Sequence, residues 1–339
     1  MAKVLVTGAS GFIGSHLASV LVARGEEVTC LVQKTSQIEG LNRLSVRLVS
    51  GDVTQPESLM PAVAGQDIVY HLAGLTLALT KRQFFRVNQG GIRNIAQACA
   101  AQGRPPVLLV VSSLAAAGPA LAGRPKIESD PAEPVSAYGR SKHAGEQEAE
   151  SFADRVPTTI VRPPIVLGER DRLGLPLFRS VNKFGIHLVP GLGRHRFSLI
   201  HAADLVELMI LAAQRGKRLA PLGGNGSQAG QGYYFAACEE DVAYDDLGHL
   251  IGRVLGRRRV FPLHIAMPVV WVVAAAMEVV SQIQRRPLYM HIDKAREVTA
   301  GSWICSPRSA VEDLGFSVKA PLVERLRQTA EWYRSEGWL

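Results

Sequence analysis

The sequence predicts an α/β protein: a doubly wound parallel sheet with a smaller, mostly helical C-terminal lobe. Strand-like runs at 3–6, 28–32, 47–49, 67–71, 107–111 and 158–161 alternate with helical patterns at 12–24, 56–64, 82–101 and 137–155. That is the spacing of βαβ units. The runs are apolar throughout rather than alternating, as in parallel strands covered on both faces. Beyond Pro163 the pattern breaks up. Glycine and proline crowd 168–193 and 221–232, and helices resume at 202–213, 244–255, 268–284 and 322–335. This predicts a first domain over residues 1–165, with segments near 197–215 and 232–238 returning to it, and a discontinuous second lobe within 166–339. The stretch 223–230 reads as an exposed loop, and no internal repeat is seen.

Composition narrows the class. The chain has 339 residues, 47% hydrophobic and 20% charged, which excludes disordered, collagenous and low-complexity classes. Four cysteines (Cys30, Cys99, Cys238 and Cys305) stand far apart with no CxxC pair, so no disulfide framework or cysteine zinc site is expected. The net charge of +8 favours anionic partners. No basic patch interleaved with aromatics accompanies it, so nucleic acid is not expected as a partner. Met1-Ala2-Lys3 runs directly into a strand and then a turn, with no secretory apolar region, and the expected compartment is the cytoplasm.

The first element, Val4-Leu5-Val6, leads into Thr7-Gly8-Ala9-Ser10-Gly11-Phe12-Ile13-Gly14, which opens the first helix. Strand, glycine turn and helix in this order suit a dinucleotide pyrophosphate. Gly8 permits the tight turn, Gly11 lets backbone approach the phosphates, and Gly14 lets helix and strand close together. The helix start offers free N–H groups and a partial positive charge. At the end of the second strand no acid follows Val32. Gln33 and Lys34 stand there, and the first acid is Glu39. An acid at this place holds a ribose 2′-hydroxyl and repels a 2′-phosphate. Its absence, with Lys34 present, favours NADP modestly over NAD.

Tyr138-Gly139-Arg140-Ser141-Lys142 opens a predicted helix, so Tyr138 and Lys142 share one face. A free tyrosine has a pKa of about 10, too high for acid–base work at neutral pH, and a neighbouring ammonium is expected to lower it. Ser112-Ser113 ends the strand at 107–111 on the ligand-binding side of the sheet, where a serine can hold a substrate oxygen against the tyrosine. His16, His71, His143 with Glu146, His249, His264 and His291 form no ligand spacing, and no metal site is expected.

With these residues in place, the chain resembles the extended short-chain dehydrogenases/reductases over almost its whole length. The resemblance is carried by the motif at 7–14, Gly51-Asp52-Val53, His71-Leu72-Ala73-Gly74, Val87-Asn88, Ser113 five residues before Gly118, the Tyr138–Lys142 pair, Arg162-Pro163-Pro164, His201-Ala202-Ala203-Asp204-Leu205, Asp313-Leu314-Gly315-Phe316 and Thr329-Ala330-Glu331-Trp332-Tyr333. It implies a Rossmann-like fold and catalysis by Ser113, Tyr138 and Lys142, with Ser112 the runner-up serine. Tyr138 would pass a proton to the substrate oxygen. Lys142 would also hold the nicotinamide ribose. The implied cofactor contacts are Gly8, Ser10, Gly11, Phe12, Ile13 and Gly14 at the first turn, and Gln33 and Lys34 after the second strand. Asp52 and Val53, Leu72, Ala73 and Gly74, Asn88, Ser112, Tyr138, Lys142, Pro164 and Ile165 complete the set.

Departures from the family narrow the chemistry. Leu114-Ala115 follows Ser113 where nucleotide-sugar dehydratases carry an Asp-Glu pair, so dehydration is disfavoured. Ile165 stands where sugar epimerases usually have Asn, although Arg170, Arg172, Arg194 and Arg196 keep epimerisation as the alternative. A non-catalytic cofactor-binding scaffold is disfavoured by the complete Ser-Tyr-Lys set. The stretch 265–277 is apolar all round but too short to span a bilayer. It belongs to a helix from Pro268 to Gln284 with Arg257-Arg258-Arg259 and Arg285-Arg286 at its edges, which suits either a buried helix or peripheral contact with an anionic membrane on the cytoplasmic face. An apolar helix here resembles the 3β-hydroxysteroid and sterol dehydrogenases, with dihydroflavonol-reductase-like enzymes nearby. The implied reaction interconverts a secondary alcohol and a ketone on a small lipophilic, steroid- or sterol-like substrate. A homodimer stays open.

Overall fold

The computed structural model describes residues 1–121, 123–221 and 229–339; of the loop expected at 223–230, all but the last two residues lie outside these. Strands β1 (Lys3–Thr7), β2 (Glu27–Val32), β3 (Arg47–Ser50), β4 (Ile68–His71), β5 (Val107–Val111) and β6 (Thr158–Arg162) alternate with helices, as the sequence predicts. The later strands are β7 (Ile165–Leu167), β8 (Ile186–Pro190), β9 (Arg196–His201), β10 (Tyr233–Phe235), β11 (Asp241–Ala243) and β12 (Phe261–Ile265). The main sheet has seven parallel strands in the order β10-β6-β5-β4-β1-β2-β3, so the winding reverses between β1 and β4.

Helices cover both faces of this sheet. Val4 and Val6 of β1 join Leu17 and Leu21 of the Phe12–Ala23 helix and Leu208 and Met209 of the Ala202–Arg215 helix. Leu5, pointing the other way, joins Ile92, Ile95 and Ala149. Each fully buried side chain of this kind contributes about 1.5–3 kcal/mol. Both faces being apolar explains the unbroken hydrophobic runs. The helix expected at 82–101 is interrupted. A Thr80–Gln83 capping box starts the short Lys81–Phe84 helix, a π turn covers Phe85–Gln89, and Gly90–Ala100 continues as α-helix. Such turns concentrate at functional sites, and this one carries Asn88.

The second lobe holds more than helices. A three-stranded sheet, β11-β9-β7, and a parallel ribbon, β12-β8, accompany a core of Phe178, Leu247, Ile251, Leu326 and Tyr333. The Met267–Gln284 helix resolves the choice between burial and exposure. Among its residues only Val270, Ala274 and Ser281 are buried. Val270 and Ala274 meet Ala295 of the Ile292–Thr299 helix beneath.

Candidate active site

The carboxyl ends of the parallel strands bring the expected residues to one edge, beside the reversal between β1 and β4, where open α/β sheets bind ligands. After β1, Gly8 adopts a φ of +71°, and a Cβ there would lie 2.7 Å from the Ala73 amide nitrogen. A Cβ on Gly14 would stand 2.1 Å from the Gly8 carbonyl oxygen. The strand, the loop after β4 and the first helix close on one another through these two positions.

Gly11 is exposed instead, and beside it Ser10 is exposed. The Phe12–Ala23 helix starts at Gly11 with no side-chain cap and no acid in its first turn. The amides of Phe12, Ile13 and Gly14 and the positive helix end are therefore left for an anion. A dinucleotide pyrophosphate fits this cradle.

Further along the edge, Gln33 Nε2 donates to Asp52 Oδ2 at 2.9 Å. Asp52 Oδ1 accepts from the Thr54 amide at 2.8 Å and its hydroxyl at 2.9 Å. Lys34 is exposed next to this pair. The Val53 side chain is buried in the core, and its carbonyl accepts from Asn94 Nδ2 at 2.8 Å.

After β4, Thr7 Oγ1 accepts from the Ala73 amide at 3.2 Å and pairs with His71 Nδ1 at 3.0 Å. Burial, helped by the Lys142 charge, pushes His71 down to about 3, so it stays neutral. Leu72 is half-buried and donates its amide to the Thr7 carbonyl at 3.2 Å. Gly74 is exposed; a Cβ on it would lie 3.1 Å from Asn88 Oδ1 and 3.8 Å from Lys142 Nζ. Asn88 uses its side chain as a clamp. Its Oδ1 accepts from the Leu75 amide at 2.7 Å, and its Nδ2 donates to the Leu75 carbonyl at 3.0 Å and to Ser141 Oγ at 2.9 Å.

Tyr138 and Lys142 lie on the Ala137–Glu150 helix, capped by Ser136, whose hydroxyl accepts from the Gly139 amide at 2.9 Å. Of the two candidate serines, Ser113 is the one that acts on the Tyr138 phenol, lowering it against the larger upward push of burial. The Ser113 hydroxyl accepts from the Ala115 amide at 3.1 Å. Ser112 is buried, and its hydroxyl has no hydrogen-bond partner among the described residues. Pro164 is half-buried after β6, and Ile165 is exposed at the start of β7.

The expected effect of Lys142 on the phenol differs from what the geometry shows. Lys142 Nζ donates to the Val111 carbonyl at 2.6 Å, and burial lowers the ammonium to about 8 against the opposing pull of Glu146. Tyr138 is instead pushed up to about 12 by burial. The charges that bear on the phenol are Glu297, which raises it further, and Lys294, which lowers it. At neutral pH the phenol is protonated, as a proton donor must be.

A buried ion pair under the site was missed from sequence. Arg162 donates to Glu146 through Nε at 2.8 Å and Nη2 at 2.7 Å, and its guanidinium lies 4.3 Å from the Tyr233 ring centroid. Glu146 is four residues beyond Lys142 on the same helix, which was the available signal.

Fold and edge together define an oxidoreductase of the dinucleotide-binding α/β class. The family model described as the NAD dependent epimerase/dehydratase family matches residues 4–222, and the chain belongs to that family, within the extended short-chain dehydrogenases/reductases. It is 30% identical, over 99% of its length, to a ceramide reductase of Caulobacter vibrioides, 96% of which is covered. It is 25% identical, over 98% of its length, to 3 beta-hydroxysteroid dehydrogenase type 7 of Mus musculus, 95% of which is covered. The structure of MoeE5 with UDP-glucose and NAD superposes with a TM-score of 0.75 at 24% identity, covering 98% of this chain and 99% of that one, a likeness of fold.

Proposed function

We propose that this oxidoreductase interconverts a ketone and a secondary alcohol on a lipid-like substrate. The observation that carries the reading is Tyr138 and Lys142 on one helix at the ligand-binding edge, with Tyr138 packed against the apolar cluster of Leu114, Phe235 and Trp303. A bound nicotinamide dinucleotide supplies or accepts the hydride. In reduction the Tyr138 hydroxyl gives its proton to the substrate oxygen as that oxygen gains charge. The Ser113 hydroxyl donates a hydrogen bond to the same oxygen. Lys142, beside Gly74, would hold the nicotinamide ribose, and oxidation reverses these steps.

The relative that matches both lobes at 30% identity is a ceramide reductase, which supports a long-chain amido ketone as substrate. The steroid- or sterol-like reading comes second, supported by the steroid dehydrogenase relative that also spans both lobes. Three of the arginines that could grip a sugar diphosphate are engaged elsewhere. Arg194 pairs with Asp246 at 3.2 Å, Arg196 pairs with Asp241, and Arg172 lies 5.5 Å from the Trp338 ring centroid.

NADPH is proposed as modestly preferred over NADH, because Lys34 can reach a 2′-phosphate but offers no bidentate fork. Assays with each reduced cofactor against a 3-ketoceramide, a 3-ketosteroid and UDP-glucose test both points. The expected result is turnover of the ketoceramide, roughly several-fold better with NADPH, with that advantage lost in Lys34→Ala. Action on UDP-glucose alone would remove the ketone reading. Tighter NADH binding would remove the cofactor preference.

The same reading includes contact with a membrane, the source of such a substrate. On the Met267–Gln284 helix, Val269, Val272, Val279 and Ile283 recur at helical spacing and are exposed, Ile283 at 77%. The adjoining ribbon exposes Leu188 of β8 and Phe261 and Leu263 of β12. Exposed Lys183, Arg257, Arg258, Arg259, Arg285 and Arg286 accompany this surface. Apolar side chains with cationic edges suit an anionic bilayer. The protein should co-sediment with phosphatidylglycerol vesicles at low salt and be released as salt rises. Val272→Ser with Ile283→Ser should abolish binding at unchanged Tm; retention of binding would place the contact elsewhere.

A further inference from the structure

The Ile292–Thr299 helix of the second lobe is built onto the start of the helix that carries Tyr138. Asp293 Oδ2 accepts from the Ala137 amide at 2.6 Å and the Tyr138 amide at 3.3 Å, adding a carboxylate where the helix end is positive. The Ser136 hydroxyl donates to Glu297 Oε1 at 2.6 Å, and Trp303 Nε1 donates to the Glu297 carbonyl at 2.9 Å. Between Asp293 and Glu297 stands Lys294. Its Nζ donates to Glu297 Oε2 at 2.8 Å and lies 5.4 Å from the Tyr289 ring centroid.

An ammonium has three donors. Among the described residues Lys294 Nζ has one acceptor, Glu297, and its side chain remains 29% exposed. It adjoins Asp293, which holds the Tyr138 amide, and pairs with the Glu297 carboxylate that accepts from Ser136. The side chains next to Tyr138 include the apolar Phe197, Ala300 and Trp303. A partly desolvated donor in such surroundings discriminates strongly, because a ligand lacking the matching oxygen leaves it unpaired.

We propose that Lys294 is a specificity-determining residue that donates a hydrogen bond to a second oxygen of the substrate, close to the reacting carbonyl. The substrate class is then a lipid ketone or alcohol with a neighbouring hydroxyl, amide or carboxylate oxygen. This rests on the ketone–alcohol reading above. Asp293 and Glu297 act through the helix start as positioning residues.

The test is equilibrium binding, read by the tryptophan emission to which Trp303 contributes, in the presence of NADP. The ligands are a short-chain ceramide, a 3-hydroxy fatty acid and a secondary alcohol of equal carbon number with no other oxygen. The wild type should bind the ceramide or the hydroxy acid at least tenfold more tightly than the plain alcohol, and the better of the two identifies the oxygen recognised. Lys294→Met with Glu297→Gln, which removes both charges together, should bring that ratio close to one, and Lys294→Arg should keep most of it. If the double variant does not fold, Lys294→Gln provides the same comparison.

Equal binding of all ligands by the wild type, or an unchanged ratio in the charge-free variant, would overturn the assignment. Discrimination by a wild type that turns over none of the matching ketones would leave Lys294 assigned and remove the ketone–alcohol reading. Turnover without discrimination would do the reverse.

Discussion

Replacing Tyr138 by phenylalanine should lower kcat about a hundredfold or more while leaving cofactor affinity nearly unchanged. The ring stays in its place against Phe84, whose centroid is 5.9 Å away, so the packing survives and only the phenol oxygen is lost. Burial holds that phenol near 12, so the reductive direction has a proton to give throughout the neutral range. Lys142, lowered to about 8 by burial, sets the alkaline limit. The reductive rate should be flat below pH 8 and fall above it as the ammonium is lost. Steady-state kinetics across pH 6–10, with cofactor titration of the variant, check both statements. Near-normal kcat in the phenylalanine variant would show that another group moves the proton.

Glu146→Gln should have the largest effect on stability. The carboxylate is fully buried, and the substitution leaves the Arg162 guanidinium charged and without its bidentate partner. Breaking a buried pair in this way costs about 3–5 kcal/mol. The pH dependence has a definite sign. Burial alone would push the Glu146 carboxyl up, but the Arg162 charge overrides it and holds the group near 2, below the ordinary 4.5. A depressed acid stabilises the fold above its ordinary range and loses that contribution as pH falls toward 2. Urea unfolding of wild type and variant should therefore show a gap that is full at pH 7 and narrows below about pH 4.5. A gap independent of pH would assign the loss to packing. The variant should also move the alkaline limit of catalysis downward, because the Glu146 charge supports the Lys142 ammonium.

Lys142 shows where local reading reaches its end. Its spacing from Tyr138 places both on one helix face, but Nζ donates to the Val111 carbonyl at the end of β5, and the phenol is governed by its depth. Helical spacing fixes which Cβ atoms are neighbours, whereas the partner of a long flexible side chain is chosen by whatever packs above it.

The sequence by itself determined the alternation of strands and helices in the first part, because strands buried on both faces must be apolar and short. It also determined the glycine turn after β1 and the common face of Tyr138 and Lys142, because each lies within one element or one turn. Only the tertiary structure decided that the Met267–Gln284 helix is exposed, since a helix apolar on every side has no period that points to a core. The short strands β7, β8, β9, β11 and β12 were hidden for a similar reason: runs of three to six residues among glycines and prolines are too brief to show alternation. The contact between Asp293 and the Tyr138 amide spans 155 positions, and the Arg162–Glu146 pair joins a strand to a helix. Such partners are set by how folded elements meet, and no spacing along the chain encodes them.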